Sequence, residues 1–423
     1  MKVFLAIIAV TLFPSINAQT DLEKSFANIE SKVINWRRDF HEHPELSNRE
    51  FRTSKIISEH LQSLGIETET GIAKTGVVGI LKGKQPGKVI ALRADIDALP
   101  VTERNNLPFK SEVQTTFLGT ETGVMHACGH DTHIAILMGV AEILSQNKDK
   151  IKGTVKFIFQ PAEEGPPPGE EGGAKLMIKE GVLNNPDVDA IFGLHIDSEV
   201  PIETITYKTE GVMAAVERFV INVKGKQTHG SQPWSGVDPI LISAKIIDGL
   251  QTIISREANL TEEAAVITVG KITSGTRFNI IPESAKLIGT VRTLNSEMKT
   301  KIIKRMKAMT TAIATAYGGE ASIEFENFTS ITYNDPNLVI RMLPSLQKVA
   351  GKDHVITTKA TTGGEDFSFY QEIVPGFYFF LGGMTPGNKN AFPHHTPDFF
   401  IDESGLLLGV KAFTQITFDF LND

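Results

Sequence analysis

Residues 211–330 carry six regular elements in the order strand, helix, strand, strand, helix, strand, and this block interrupts a chain of different pattern. The strands are "VERFVINVKGK", "AAVITVGKI", "AKLIGTVRTL" and "ASIEFEN"; the helices are "DPILISAKIIDGLQTIIS" and "EMKTKIIKRMKAMTTAIATAYG". That order is the ferredoxin-like βαββαβ arrangement, a self-contained small domain. On either side, short apolar runs alternate with helices. "KVIALRADIDALP", "GTVKFIFQPAEE", "VDAIFGLHID" and "GFYFFLGGM" have strand length, and "HDTHIAILMGVAEILSQN" repeats its apolar positions at helical spacing. Such alternation predicts an α/β domain with a largely parallel sheet. The expected architecture is therefore an α/β domain in two parts, residues 19–210 and 331–423, interrupted by a smaller domain over 211–330. A chain of 423 residues is too long for one core, which agrees.

The first residues, "MKVFLAIIAVTLFPSINAQT", join Lys2 to an apolar run from Val3 to Phe13 and a small residue at Ala18. The run is shorter than the about 20 residues that span a bilayer, so residues 1–18 read as a secretory signal peptide. The expected protein is exported, periplasmic or secreted, and no longer associated with a membrane after processing. Its net charge of −8, with no basic stripe, argues against nucleic acid as a partner. Cys128 is the only cysteine, so no disulfide forms within the chain. An exported lone thiol must be buried, joined to a second chain, or bound to metal.

The neighbours of Cys128 favour metal. "MHACGHDTH" places three histidines, an aspartate and the cysteine within nine residues, just before the predicted helix. The helix N-terminus is expected to favour the thiolate. Three apolar runs also end in ligand-type residues: Asp95 and Asp97, Glu163 and Glu164, and His195. In open α/β sheets such strand ends converge on the ligand site. Alone, His195 reads as a satisfied strand-end histidine and the glutamates as a solvated pair; together with Cys128 and His130 they read as a metal site. Two adjacent glutamates then divide the work. One commits its charge to metal, and the other accepts a proton from metal-bound water and passes it to a leaving amine. Mixed Cys, His and Glu ligands suit zinc, with manganese, nickel or cobalt as alternatives.

"ALRADIDALP", "MHACGHDTHIA", "QPAEEG", "GLH", "RFNIIPESAKLIGTVRTL", "GGEDFSFY" and "HHTPDF", in this order, resemble the metal-dependent amidohydrolases of the aminoacylase, hippurate hydrolase and indoleacetyl-amino-acid hydrolase group, with the related zinc carboxypeptidases and deacetylases. "WRRDFHEHPELSNRE" also fits. The resemblance implies two divalent metal ions per subunit, held by Cys128, His130, Glu164, His195 and His395, with His394 as a competitor for the last place. It implies Glu163 as general base, Asp97 as a support behind the ligands, and the inserted domain as a lid and homodimerisation unit. His229 is then implied to reach the substrate, often in the partner subunit's site, and Asn279 and Arg292 to bind its carbonyl or carboxylate. "GKQTHGSQPW" and the proline-rich "GPPPGEEGGA" depart from the common pattern beside the expected pocket.

The function implied is hydrolysis of the amide bond of N-acyl amino acids or short peptides. A metallocarboxypeptidase or N-acetyl deacetylase shares the same machinery. A non-catalytic metal- or ligand-binding protein is disfavoured because the base and the ligands are all present.

Overall fold

Alternating strand and helix build an eight-stranded sheet in a computed structural model that describes residues 15–388 and 392–423. Its centre is four parallel strands, in the spatial order Lys152–Gln160, Gln85–Asp95, Ala190–Pro201 and Gly376–Met384. Gly76–Lys82 and Glu67–Ile72 extend one edge antiparallel, and Ile205–Tyr207 with Val355–Thr357 completes the other. The sheet is therefore largely parallel, as the alternation predicts.

Both faces of the sheet's centre are covered, which explains why the central strands are apolar over most of their length. Helices Ser15–Glu42, His130–Gln146 and Leu406–Asn422 cover one face, burying Val33, Ile134, Leu137, Val410 and Phe413 against Leu92 and Phe192. The His130–Gln146 helix is buried almost all round, so it has no polar stripe to lose. The other face is closed by Gly173–Lys179 and Ser368–Gln371, through Met177, Phe367, Tyr370 and Tyr378.

A second, four-stranded antiparallel sheet has the order Ala265–Ser274, Ser284–Thr293, Ala215–Lys224, Glu320–Thr329. Helices Pro239–Arg256 and Ser296–Ala316 pack on it with their own core, including Ile246, Leu250, Ile302 and Met306. Each helix begins at a side-chain cap: Asp238 accepts from the Ile240 amide at 2.8 Å, and Asn295 from the Met298 amide at 2.9 Å. This is the βαββαβ connectivity expected of the inserted block. Where the chain enters and leaves it, Glu210–Met213 and Thr332–Asn334 pair as a short antiparallel ladder.

The apolar run Val3–Phe13, on which export rests, lies outside the described residues. No described helix is long and apolar enough to cross a membrane.

Candidate metal centre

The site forms beyond the carboxyl ends of the central strands. Asp97 lies two residues past Gln85–Asp95, and Glu163 and Glu164 lie just past Lys152–Gln160. His195 sits within Ala190–Pro201, while Cys128 precedes the helix that His130 opens. Gly129 between them has φ +88°, and a Cβ there would lie 2.4 Å from Ile196 Cγ2. Only glycine meets both conditions, so the turn that presents Cys128 and His130 is tied to this residue.

The histidines are held from behind. His130 donates Nδ1–H to the Asp97 carbonyl at 2.9 Å, with Asp97 Oδ1 at 3.3 Å. His195 donates Nδ1–H to the Ile196 carbonyl at 2.6 Å. Each ring thereby turns an Nε2 lone pair inward, the arrangement that fixes metal-binding tautomers. His195 Nε2 lies 3.4 Å from Cys128 Sγ, and His395 Nε2 lies 3.3 Å from the same sulfur and 3.1 Å from Glu164 Oε1. His130 Nε2 is buried with no hydrogen-bond partner among the described residues, 3.7 Å from Asp95 and 4.0 Å from Glu163. A buried imidazole lone pair facing carboxylates and a thiol fits a divalent cation, and zinc suits this donor set.

The electrostatics agree. Burial pushes the Cys128 thiol well above its usual range, and the charges of Glu164, Glu163 and Asp95 add to it. Burial and the carboxylates thus oppose the helix N-terminus, which favours the thiolate, and a bound cation would hold the sulfur ionised. Cys128 is also buried, which disfavours a disulfide to a second chain. Burial would lower the His130 pKa, yet Asp95, Asp97 and Glu164 outweigh it and raise it to about 10. Burial, then the neighbouring His133 and His394, hold His195 neutral. Burial and the charges of Glu365, Glu164, Asp366 and Asp95 push the Glu163 carboxyl well up. Such an excess of negative charge is what positive ions would relieve.

The two adjacent histidines differ in how they are engaged. His394 is tied to backbone on both sides, with Nδ1 3.2 Å from the Cys128 carbonyl and Nε2 accepting from the Ser198 amide at 3.3 Å. His395, at φ +61°, turns Nε2 to Cys128 and Glu164.

A cavity of about 1250 Å3 opens over these groups, between the two sheets. Arg292 lines it from the smaller sheet, half-buried, with no hydrogen bond or ion pair among the described residues. His229 and Asn279 do not line it. They sit together where Thr228–His229 pairs with Ile280–Ile281, and His229 is exposed. Its Nδ1 is engaged by Ser231 Oγ at 2.7 Å.

The sequence reading named Asp95 but not the residues that tie it into the site: His133, Arg93, Glu365 and Asp366. Asp95 binds His133 Nδ1 at 2.5 Å, and His133 Nε2 accepts from the Ile196 amide at 2.8 Å, bracing the segment that carries His195. Arg93 is buried and reaches Asp95 at 2.7 Å, Glu365 at 3.0 Å and Asp366 at 3.0 Å. The Asp366 amide in turn faces Glu163 Oε1 at 3.4 Å. The signal was present: an arginine inside an otherwise buried strand run implies paired charge.

The chain is similar to known proteins along most of its length. The model of peptidase family M20/M25/M40 matches residues 91–419. Thermostable carboxypeptidase 2 of Saccharolobus solfataricus is 41% identical over 403 residues, covering 95% of this chain and 98% of its own. N-acetylcysteine deacetylase of Bacillus subtilis is 39% identical over 387 residues, covering 91% and 96%. Among solved structures, the YxeP protein of Bacillus subtilis, described as a dinuclear metal binding peptidase from the M20 family, superposes with a TM-score of 0.78 at 37% identity, covering 94% of this chain and 99% of its own.

Proposed function

Given that this chain belongs to the M20/M25/M40 peptidase family and is a hydrolase of amide bonds, we propose that it releases a free amino acid from N-acyl amino acids or short peptides, using two divalent cations. The observation that carries this reading is the convergence of Cys128, His130, Glu164, His195 and His395, with the Glu163 carboxylate beside them. Those five residues would hold the cations, zinc first. When bound, the cations supply Lewis acidity toward the scissile carbonyl and toward water.

The protein's own groups do the rest. Glu163 takes a proton from the attacking water and returns it to the departing nitrogen. Asp97 holds His130 from behind, chiefly through its carbonyl, and its carboxylate accepts the Glu164 amide at 3.0 Å, so one residue orients two ligands. Arg292, cationic at the cavity wall and without an ion pair among the described residues, receives the substrate's free carboxylate. Replacing it by alanine removes binding common to ground and transition states. Arg292→Ala is expected to raise KM by about 10–100-fold with kcat within about threefold, on the worth of one charge-assisted contact. A fall in kcat with unchanged KM would move Arg292 to another role.

His229 and Asn279 act on substrate from a second copy in a homodimer, on this reading. Its support is their distance from the cavity lining and the apolar side chains near them, Trp234 and Phe278, which are 80% and 96% exposed. The N-terminal apolar run supports export.

The test is hydrolysis of N-acetyl, N-benzoyl and N-blocked dipeptide substrates with metal content quantified, before and after chelation and add-back of zinc, manganese or nickel. Chelator-sensitive release of free amino acid is expected, and the preferred substrate separates aminoacylase, deacetylase and carboxypeptidase. No turnover with two bound cations per chain would overturn the catalytic reading.

A further inference from the structure

We propose that residues 47–50, joining the first two helices, position the turn that carries the paired glutamates, with Glu50 as the principal positioning residue. The inference rests on the reading of Glu163 and Glu164 given above. The turn leaves its strand at Gln160 and passes through Ala162, whose φ is +54°. A non-glycine residue keeps such a conformation only where its surroundings over-determine it. Here Glu50 does so: its Oε1 accepts the Ala162 amide at 2.9 Å, and Thr75 Oγ1 donates to its Oε2 at 2.5 Å. Glu50 is wholly buried and makes no ion pair with any described residue. A carboxylate buried without a cation is unfavourable, and an apolar side chain would fill the space. The hydrogen bond to the turn is what the carboxylate adds.

The neighbouring residues act on the same stretch. Ser47 Oγ donates to Asp97 Oδ2 at 2.7 Å, the oxygen that also accepts the Glu164 amide. Asn48 Nδ2 donates to the Glu171 carbonyl at 3.1 Å, and Arg49 Nη2 to Glu170 Oε1 at 2.6 Å. Four successive side chains thus fix both ends of the proline-rich loop, two at the glutamate turn and two where the loop ends. Glu163 and Glu164 are aimed by a clip that lies more than a hundred residues earlier in the chain.

The test uses the full chain with Glu50→Ala, Glu50→Gln and Thr75→Val, read in three ways. Amide hydrogen exchange over residues 160–166 needs no activity and is expected to be faster in Glu50→Ala than in wild type. Zinc affinity, by competition with a chromophoric chelator, is expected to fall about 10–100-fold, and kcat by a similar factor with KM little changed. Glu50→Gln should restore most of each, because its amide oxygen still accepts the Ala162 N–H. Thr75→Val, which removes only the hydroxyl behind Glu50, should shift each readout in the same direction by less. Unchanged exchange and zinc affinity in Glu50→Ala would overturn the inference, as would equal damage from Glu50→Gln. Should Glu50→Ala not fold, unchanged exchange in folded Thr75→Val overturns it. A wild type that hydrolyses nothing, while Glu50→Ala shows faster exchange and weaker zinc binding, supports the positioning role and removes only the catalytic reading.

Discussion

Glu163→Gln is expected to hydrolyse its substrate about 10³-fold more slowly than wild type while binding the same cations, a loss within the range of general acid–base catalysis. Glutamine has the same length and retains an oxygen to face the Asp366 amide, which lies 3.4 Å from Glu163 Oε1. It cannot take a proton from water at neutral pH. Glu163 also lies beside the ligand set, its Oε2 4.0 Å from His130 Nε2. The loss should therefore fall on kcat and not on metal binding. Single-turnover rates with metal content from the same sample make the check. Full activity with full metal content would transfer the proton to another group, and Glu365 and Asp366 would be examined next.

Arg93→Met should produce the largest loss of stability. The guanidinium is buried, with Nη1 on Asp95, Nη2 on Glu365 and Asp366, and Nε on Gln160 at 2.9 Å. Tyr378 donates to the remaining oxygen of Glu365 at 2.5 Å. Burial drives the Asp366 carboxyl up to about 7 even though Arg93 pulls it down. Methionine fills much of the volume but leaves three buried carboxylates without their cation. Breaking a buried ion pair in this way costs about 3–5 kcal/mol. Denaturant unfolding is the measurement, and a midpoint equal to wild type would show that the carboxylates neutralise one another without help. Arg93→Lys should also lose stability, since an ammonium cannot reach three carboxylates in the guanidinium's planar fork.

The fold was legible where local pattern decides it. The four central strands are apolar because both faces are covered, and the inserted block shows its βαββαβ order in simple succession. Sheet order was not legible, because pairing Lys152–Gln160 against Gln85–Asp95 depends on contacts between distant segments. The site divides in the same way. Cys128, His130, Glu163 and Glu164 stand beside strand or helix ends, and they declared themselves by residue type, as did His195, whose strand runs on to Pro201. Arg93 did not, since its partners Glu365 and Asp366 lie 272 and 273 residues away. Glu50 did not either, because its role is a single hydrogen bond to an amide. The surroundings of Cys128 were half legible, because the helix end is visible in sequence whereas the carboxylates around it become visible only in three dimensions.

The ladder between Glu210–Met213 and Thr332–Asn334 bears on how the smaller domain is held. Both chain crossings to that domain are zipped into one ribbon. Two paired strands resist sliding, because a slip of one residue breaks their hydrogen bonds and turns every side chain to the opposite face. The two crossings thus enter and leave the smaller domain as one paired ribbon and not as two separate strands. Together with the Lys175–Asn327 and Lys208–Glu263 contacts, the ribbon fixes the register at which Arg292 stands along the cavity wall.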